Sequence, residues 1–190
     1  MISKLTRFTA LQRTLHWLMA VCIITMLFIG VFMVSTIMPR YLPFISLHKT
    51  LGIAILILAL LRLAVRVRYG TPALPADLPA PMKLAAVLSH YALYALMIAM
   101  PLLGWAMLSA AEYPVVLFGD IHLPAILPQN ERLHTVLWTA HVYLAFAFFA
   151  LILLHLAAAL FHAFVRRDGV FQSMAPISTE GGIHRAAPAE

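Results

Sequence analysis

The chain has 190 residues, enough for one domain, but 63% are hydrophobic against 11% charged, a balance outside the range of soluble globular domains. Its net charge of +6 comes from 13 Lys and Arg against 7 Asp and Glu. Because the cations gather at the ends of apolar runs, the excess reads as membrane topology, and a nucleic-acid partner is not expected.

Four segments are long and apolar enough to cross a bilayer as helices, at about 11–37, 44–66, 83–108 and 131–166. The expected architecture is all-α: an integral membrane four-helix bundle over residues 1–167, followed by a flexible cytoplasmic tail, 168–190. Lys4, Arg7 and Arg13 precede the first span, Arg62, Arg66, Arg68 and Lys83 flank the second connection, and Arg166 and Arg167 close the fourth. The opposite side has only Arg40, Lys49 and Arg132. By the positive-inside rule both termini are expected in the cytoplasm. The first apolar stretch is longer than a signal peptide's and lacks a clear small-residue cleavage site, so it is expected to remain as the first helix. Cys22, the one cysteine, falls inside it, which excludes an intramolecular disulfide and a Cys-x-x-Cys-His site for covalent haem.

The connection "RYGTPALPADLPAPMK" contains Pro72, Pro75, Pro79 and Pro81 and is predicted to be an extended, semi-rigid link, with Pro81 suited to the first turn of the third helix. The longest loop, "SAAEYPVVLFGDIHLPAILPQN", has apolar patches suited to the membrane interface. Asn130 is the predicted N-cap of the fourth helix.

All seven acidic residues (Asp77, Glu112, Asp120, Glu131, Asp168, Glu180 and Glu190) fall in loops, at helix ends or in the tail, while the spans hold histidines. Ionisable groups inside a bilayer are costly and mark function. Without an intramembrane carboxylate, proton-coupled or cation transport loses support. Neutral imidazole is a common metal ligand, and haem iron can take one from each of two facing helices. His141 and His155 are 14 residues apart, so they face one side of a helix roughly 21 Å apart along its axis, one towards each membrane face. Pairing by depth joins His48 with His141 and His16 with His155. His90 and His162 also lie near the inner face, so depth alone leaves the inner pair open. His134 is expected outside the hydrocarbon and unligated. Gly30, Gly52 and Gly104 suit either a flat macrocycle or close helix contact. Arg62 is placed to meet a haem propionate or to snorkel to the interface. Phe148 lies midway between His141 and His155, and Trp17, Trp105 and Trp138 suit interfacial anchoring.

The stretches "LQRTLHWLMA" with His16, "ISLHKTLGIAILILALLRLAVR" with His48 and Arg62, "LSHYALYALMIAMPLLGWAM" with His90, and "TAHVYLAFAFFALILLHLAAALFH" with His141, His155 and His162 together resemble the bacterial cytochrome b561 family. That family is similar to the b-type subunits of nickel hydrogenases. The resemblance covers about residues 5–167. It implies a multi-pass cytochrome of the bacterial inner membrane with two non-covalent b haems, ligated through iron by His16, His48, His141 and His155, and with ubiquinone as substrate. It favours His155 over His162 as a ligand. Some members resemble superoxide:quinone oxidoreductases, in which a lysine of the proline-rich loop and a histidine matching His162 look like quinone-site residues. Here Asp77 holds that loop position, with Lys83 the lysine nearby, and His162 is the candidate catalytic residue. Arg40, Lys49 and Arg132 would draw an anionic donor to the outer side, against the opposing charge of Glu112, Asp120 and Glu131. The alternatives to a superoxide donor are a redox protein, a role as membrane-anchoring electron-transfer subunit of a dehydrogenase or hydrogenase, and a haem-free structural or transport protein.

Overall fold

A computed structural model describes residues 7–35 and 41–176. The elements run α1 (Ala10–Ser35), α2 (Tyr41–Tyr69), α3 (Ala80–Ala110), β1 (Val115–Leu117), β2 (Ile121–Leu123), α4 (Glu131–Phe161) and α5 (Val170–Met174). A π-helical turn, His162–Arg166, prolongs α4. Helices α1 to α4 are each long and apolar enough to cross a membrane, and they form the expected bundle. Helix is the form that lets such segments satisfy every backbone amide internally.

Local chemistry sets where the helices begin and end. Thr9 and Gln12 make a capping box on α1: the Gln12 N–H donates to Thr9 Oγ1 at 3.3 Å, and the Thr9 N–H donates to Gln12 Oε1 at 3.0 Å. Gly70 ends α2 in the left-handed region at φ 71°, its N–H donating to Arg66 O at 2.9 Å. Pro81 falls in the first turn of α3 and Asn130 caps α4 by accepting the Leu133 N–H at 2.9 Å, both as predicted.

Close packing joins α1 to α2, α2 to α3 and α3 to α4. The buried centre takes one residue from each long helix: Met19, Ala59, Met97 and Phe148. Ala59 is small enough to admit the three larger side chains. The outward faces keep large apolar residues exposed, among them Phe28, Ile57, Leu88, Phe146 and Leu154. Lipid is the solvent for those faces, so their exposure carries no penalty.

Two segments differ from the sequence expectation. The long loop after α3 contains an antiparallel hairpin, with Val116 opposite His122, where only apolar patches had been foreseen. Phe118 and Gly119 turn it with φ of 51° and 89°, and Val115 and Leu117 are buried beneath it. The second is the part of the tail that is described, which contains α5. It returns to α1, where the Phe8 N–H donates to Ser173 O at 3.4 Å and Trp17 Nε1 donates to Met174 O at 2.9 Å. Lys4, Arg40 and residues 177–190, which include Glu180 and Glu190, lie outside the described residues.

Candidate functional site

The histidines of the spans meet across helices at two levels. At the level nearer the hairpin, His48 of α2 faces His141 of α4 with ring centroids 6.2 Å apart and planes inclined at 63°. At the level nearer α5, His16 of α1 faces His155 of α4 at 6.3 Å and 64°. The two pairings anticipated from depth are thus both brought together, and with nearly identical geometry.

That spacing has a chemical meaning. A metal held between two imidazoles, about 2 Å from each nitrogen, with each nitrogen just over 1 Å from its ring centre, sets the centroids roughly 6.3 Å apart. Ring contact without a metal reaches the same distance elsewhere in the chain, 6.3 Å between Tyr113 and His134, so the spacing admits an intervening ion and does not by itself require one. Among the described residues no group of three or more His, Cys, Asp and Glu side chains gathers as a metal cage. The histidine pairs therefore suit an ion whose remaining ligands come from elsewhere, as the macrocycle supplies them in haem. His48 Nδ1 is buried without a hydrogen-bond partner among the described residues, an unmet polar group at the pair nearer the hairpin. Gly104 of α3 lies flat against this level: a Cβ there would stand 3.4 Å from His141 Cε1. Gly30 has open space where a Cβ would go, and Gly52 faces the Met26 methyl at 3.7 Å.

The level nearer α5 has a third imidazole. The His90 ring centroid is 5.5 Å from that of His155, shorter than the spacing shared by the other two pairs, and its Nδ1 donates to Ala86 O at 2.6 Å within its own helix. Arg62 enters the same level: its Nη2 donates to His16 Nδ1 at 2.8 Å, and its guanidinium stands 5.5 Å from the Tyr94 ring centre. Arg66 flanks the same ring at 5.6 Å. Neither arginine simply snorkels outward.

His162 stands apart from these rings. Its Nδ1 is 2.7 Å from Asp168 Oδ2, which also accepts Arg166 Nε at 2.9 Å. Arg166 Nη2 in turn donates to Asp77 Oδ2 at 2.6 Å. The π turn and the left-handed Arg167, φ 52°, fold the chain back to make this contact. Sequence reasoning saw His162 and Asp77 separately and missed Asp168, because nothing in a periodic pattern announces a π turn. His134 makes a structural bond, Nδ1 to Met107 O at 2.8 Å, which fastens the start of α4 to α3. Lys49, one of the cations assigned to the outer side, donates to Pro114 O at 3.2 Å, so part of its charge is spent on the hairpin. Trp105 likewise secures the loop, Nε1 to Pro124 O at 3.0 Å.

Comparison with known proteins places this geometry. Residues 7–176 match the family model for prokaryotic cytochrome b561. The chain is 32% identical over 173 residues to a probable superoxide oxidase, CybB, of Yersinia pestis, covering 90% of this chain and 96% of that protein. It is 29% identical over 180 residues to cytochrome b561 homolog 1 of Escherichia coli K12, covering 90% and 98%. With cytochrome b561 homolog 2 of the same organism it shares 30% over 171 residues, covering 88% and 90%. With the described chain matched and four apolar helices, three of which carry the paired histidines, this protein belongs to the prokaryotic cytochrome b561 family, a bacterial multi-pass membrane cytochrome with a b-type haem.

Proposed function

We propose that the chain is a di-haem cytochrome of the inner membrane that carries electrons from a donor outside the membrane to the quinone pool, with ubiquinone as acceptor. The observation that carries this reading is the repeated pairing, His48 with His141 and His16 with His155, at 6.2 and 6.3 Å. Each pair would hold one haem iron through its two imidazoles, and two such sites at two depths would make a path for electrons through the bilayer. When bound, haem supplies the one-electron chemistry, and the protein sets ligand identity, polarity and access. Arg62 brings positive charge to the level of His16, where a haem propionate would take its guanidinium from His16 Nδ1 and leave that ring free for iron.

By the positive-inside rule, the basic residues around the α2–α3 connection and after α4 support a cytoplasmic side for both termini. His162 then borders the cytoplasmic interface, where it would hydrogen-bond a quinone carbonyl and supply a proton. Superoxide is the donor we favour, on the strength of the similarity to a probable superoxide oxidase. The balance is two superoxide ions, one quinone and two protons giving two dioxygen molecules and one quinol.

The test is a purified full-length protein. Its dithionite-reduced spectrum should show a b-type band equivalent to about two haems per chain, and rapid mixing with superoxide should reduce that band. A band worth one haem sinks the two-site reading; a full band indifferent to superoxide sinks the donor.

A further inference from the structure

The contact between His162 and Asp168 is built by an uncommon backbone device. In a continued α-helix a residue six positions on points roughly 240° away and lies about 9 Å further along the axis. The π turn, His162–Arg166, followed by left-handed Arg167 and Gly169, φ 81°, bends the chain until the Asp168 carboxylate meets the ring. Oδ2 lies 2.7 Å from His162 Nδ1, and Oδ1 accepts the Val170 N–H at 3.3 Å. The two side chains are 12% and 11% exposed, so the pair is largely shielded from water. Burial alone would raise the Asp168 pKa, but hydrogen bonds from Arg166, His162 and the Val170 N–H together hold it below its ordinary value. An anionic Asp168 requires the proton on Nδ1, which leaves Nε2 as the working edge of the ring; among the described residues Nε2 makes no hydrogen bond.

We propose that Asp168 is the positioning carboxylate of a His162–Asp168 dyad that delivers protons to a quinone at the cytoplasmic end of α4. This rests on the reading of His162 as a quinone-site residue. Reduction of a quinone to a quinol takes two electrons, drawn one at a time from the b-type haem, and two protons. For each proton, the Nε2–H bond of imidazolium breaks and an O–H bond forms on the quinone oxygen. The neutral ring left behind keeps its proton on Nδ1 and recovers the other from cytoplasmic water. Asp168 accepts the Nδ1–H and fixes the ring's direction. Arg166 opposes the imidazolium by its charge and, in compensation, holds Asp168 in place, tied outward to Asp77, which is 74% exposed. Helix α5 brings no titratable group to the pair, Arg7 and Arg13 lie near the start of α1 at the same end of the bundle, and Lys83 is engaged with Ala76 O at 2.9 Å.

The experiment follows quinone reduction by the full holoprotein as a function of pH, with haem content measured in each variant. Asp168→Asn keeps a hydrogen-bond acceptor and removes the charge, so the pH above which the rate falls should drop by about one unit, and Asp168→Glu should restore it in part. Arg166→Gln should move the same limb upwards, and it serves as the test if Asp168→Asn does not accumulate. A limb that stays where it was in these variants, whatever happens to the rate, makes Asp168 a structural cap and overturns the dyad. His162→Ala separates the two readings: a fall of about a hundredfold at constant haem supports the quinone site, whereas unchanged turnover removes that site and the dyad with it.

Discussion

Gly104 of α3 stands against the ring of His141 so closely that a Cβ placed on it would lie 3.4 Å from His141 Cε1. The contact is at the ordinary van der Waals limit, so the glycine sets how far α3 can approach the outer pair. Gly104→Ala should therefore be accommodated. Gly104→Leu has no room and should push the imidazole from its place, removing about half the reduced b-type absorbance while circular dichroism still reports an intact bundle.

The histidine pairs make a sharper prediction about stoichiometry. On the proposed two-haem reading, alanine at His48 or His141 should cost one haem, alanine at His16 or His155 the other, and each variant should retain about half the reduced absorbance per chain. His90→Ala should keep both, because the His90 ring is closer to His155 than an intervening iron allows. Loss of half the haem from the His90 variant would reassign the inner ligand.

Gln12 joins two helices at the inner end. Besides closing the capping box with Thr9, its Nε2 donates to Gly70 O at 2.8 Å, and the residue is 5% exposed. Gln12→Ala should strip the Thr9 N–H and the Gly70 carbonyl of their partners at a cost of about 1–2 kcal/mol, read as a lower thermal midpoint in detergent. An unchanged midpoint would mean that water replaces the side chain at no cost.

Asp168 predicts an acid-sensitive link at the end of α4. Its pKa is depressed in the folded chain, so the stabilisation it contributes is complete above the ordinary carboxylate value of about 4 and is lost as the pH falls through the lower folded value. Amide exchange of α5 should accelerate in that acid window in the native protein. In Asp168→Asn the acceleration should be missing, since no charge remains to be lost.

The spans were legible because composition and length alone decide which segments can enter lipid, and α2 and α3 reach only a few residues beyond their expected limits. The depth of each histidine was also legible, since a helix rises by a constant amount per residue. The hairpin was not, although "VVLFGDIHL" has the β-branched residues and the Gly-Asp turn of a strand pair, because three-residue strands are too short to show a period. The choice between His16 and His90 opposite His155 was equally hidden. Both lie at the same depth, and only the lateral arrangement of the helices separates 6.3 Å from 5.5 Å.

Taken by itself, the sequence determined a four-helix membrane protein with imidazoles at two levels and no carboxylate within its apolar spans, because transfer into lipid and helical rise depend on residues one segment at a time. The tertiary structure decided which imidazoles face each other, that Arg62 turns onto His16, and that Asp168 swings back onto His162. Those outcomes depend on packing between helices and on a π turn closed by a left-handed residue, neither of which is encoded in the periodicity of any single segment.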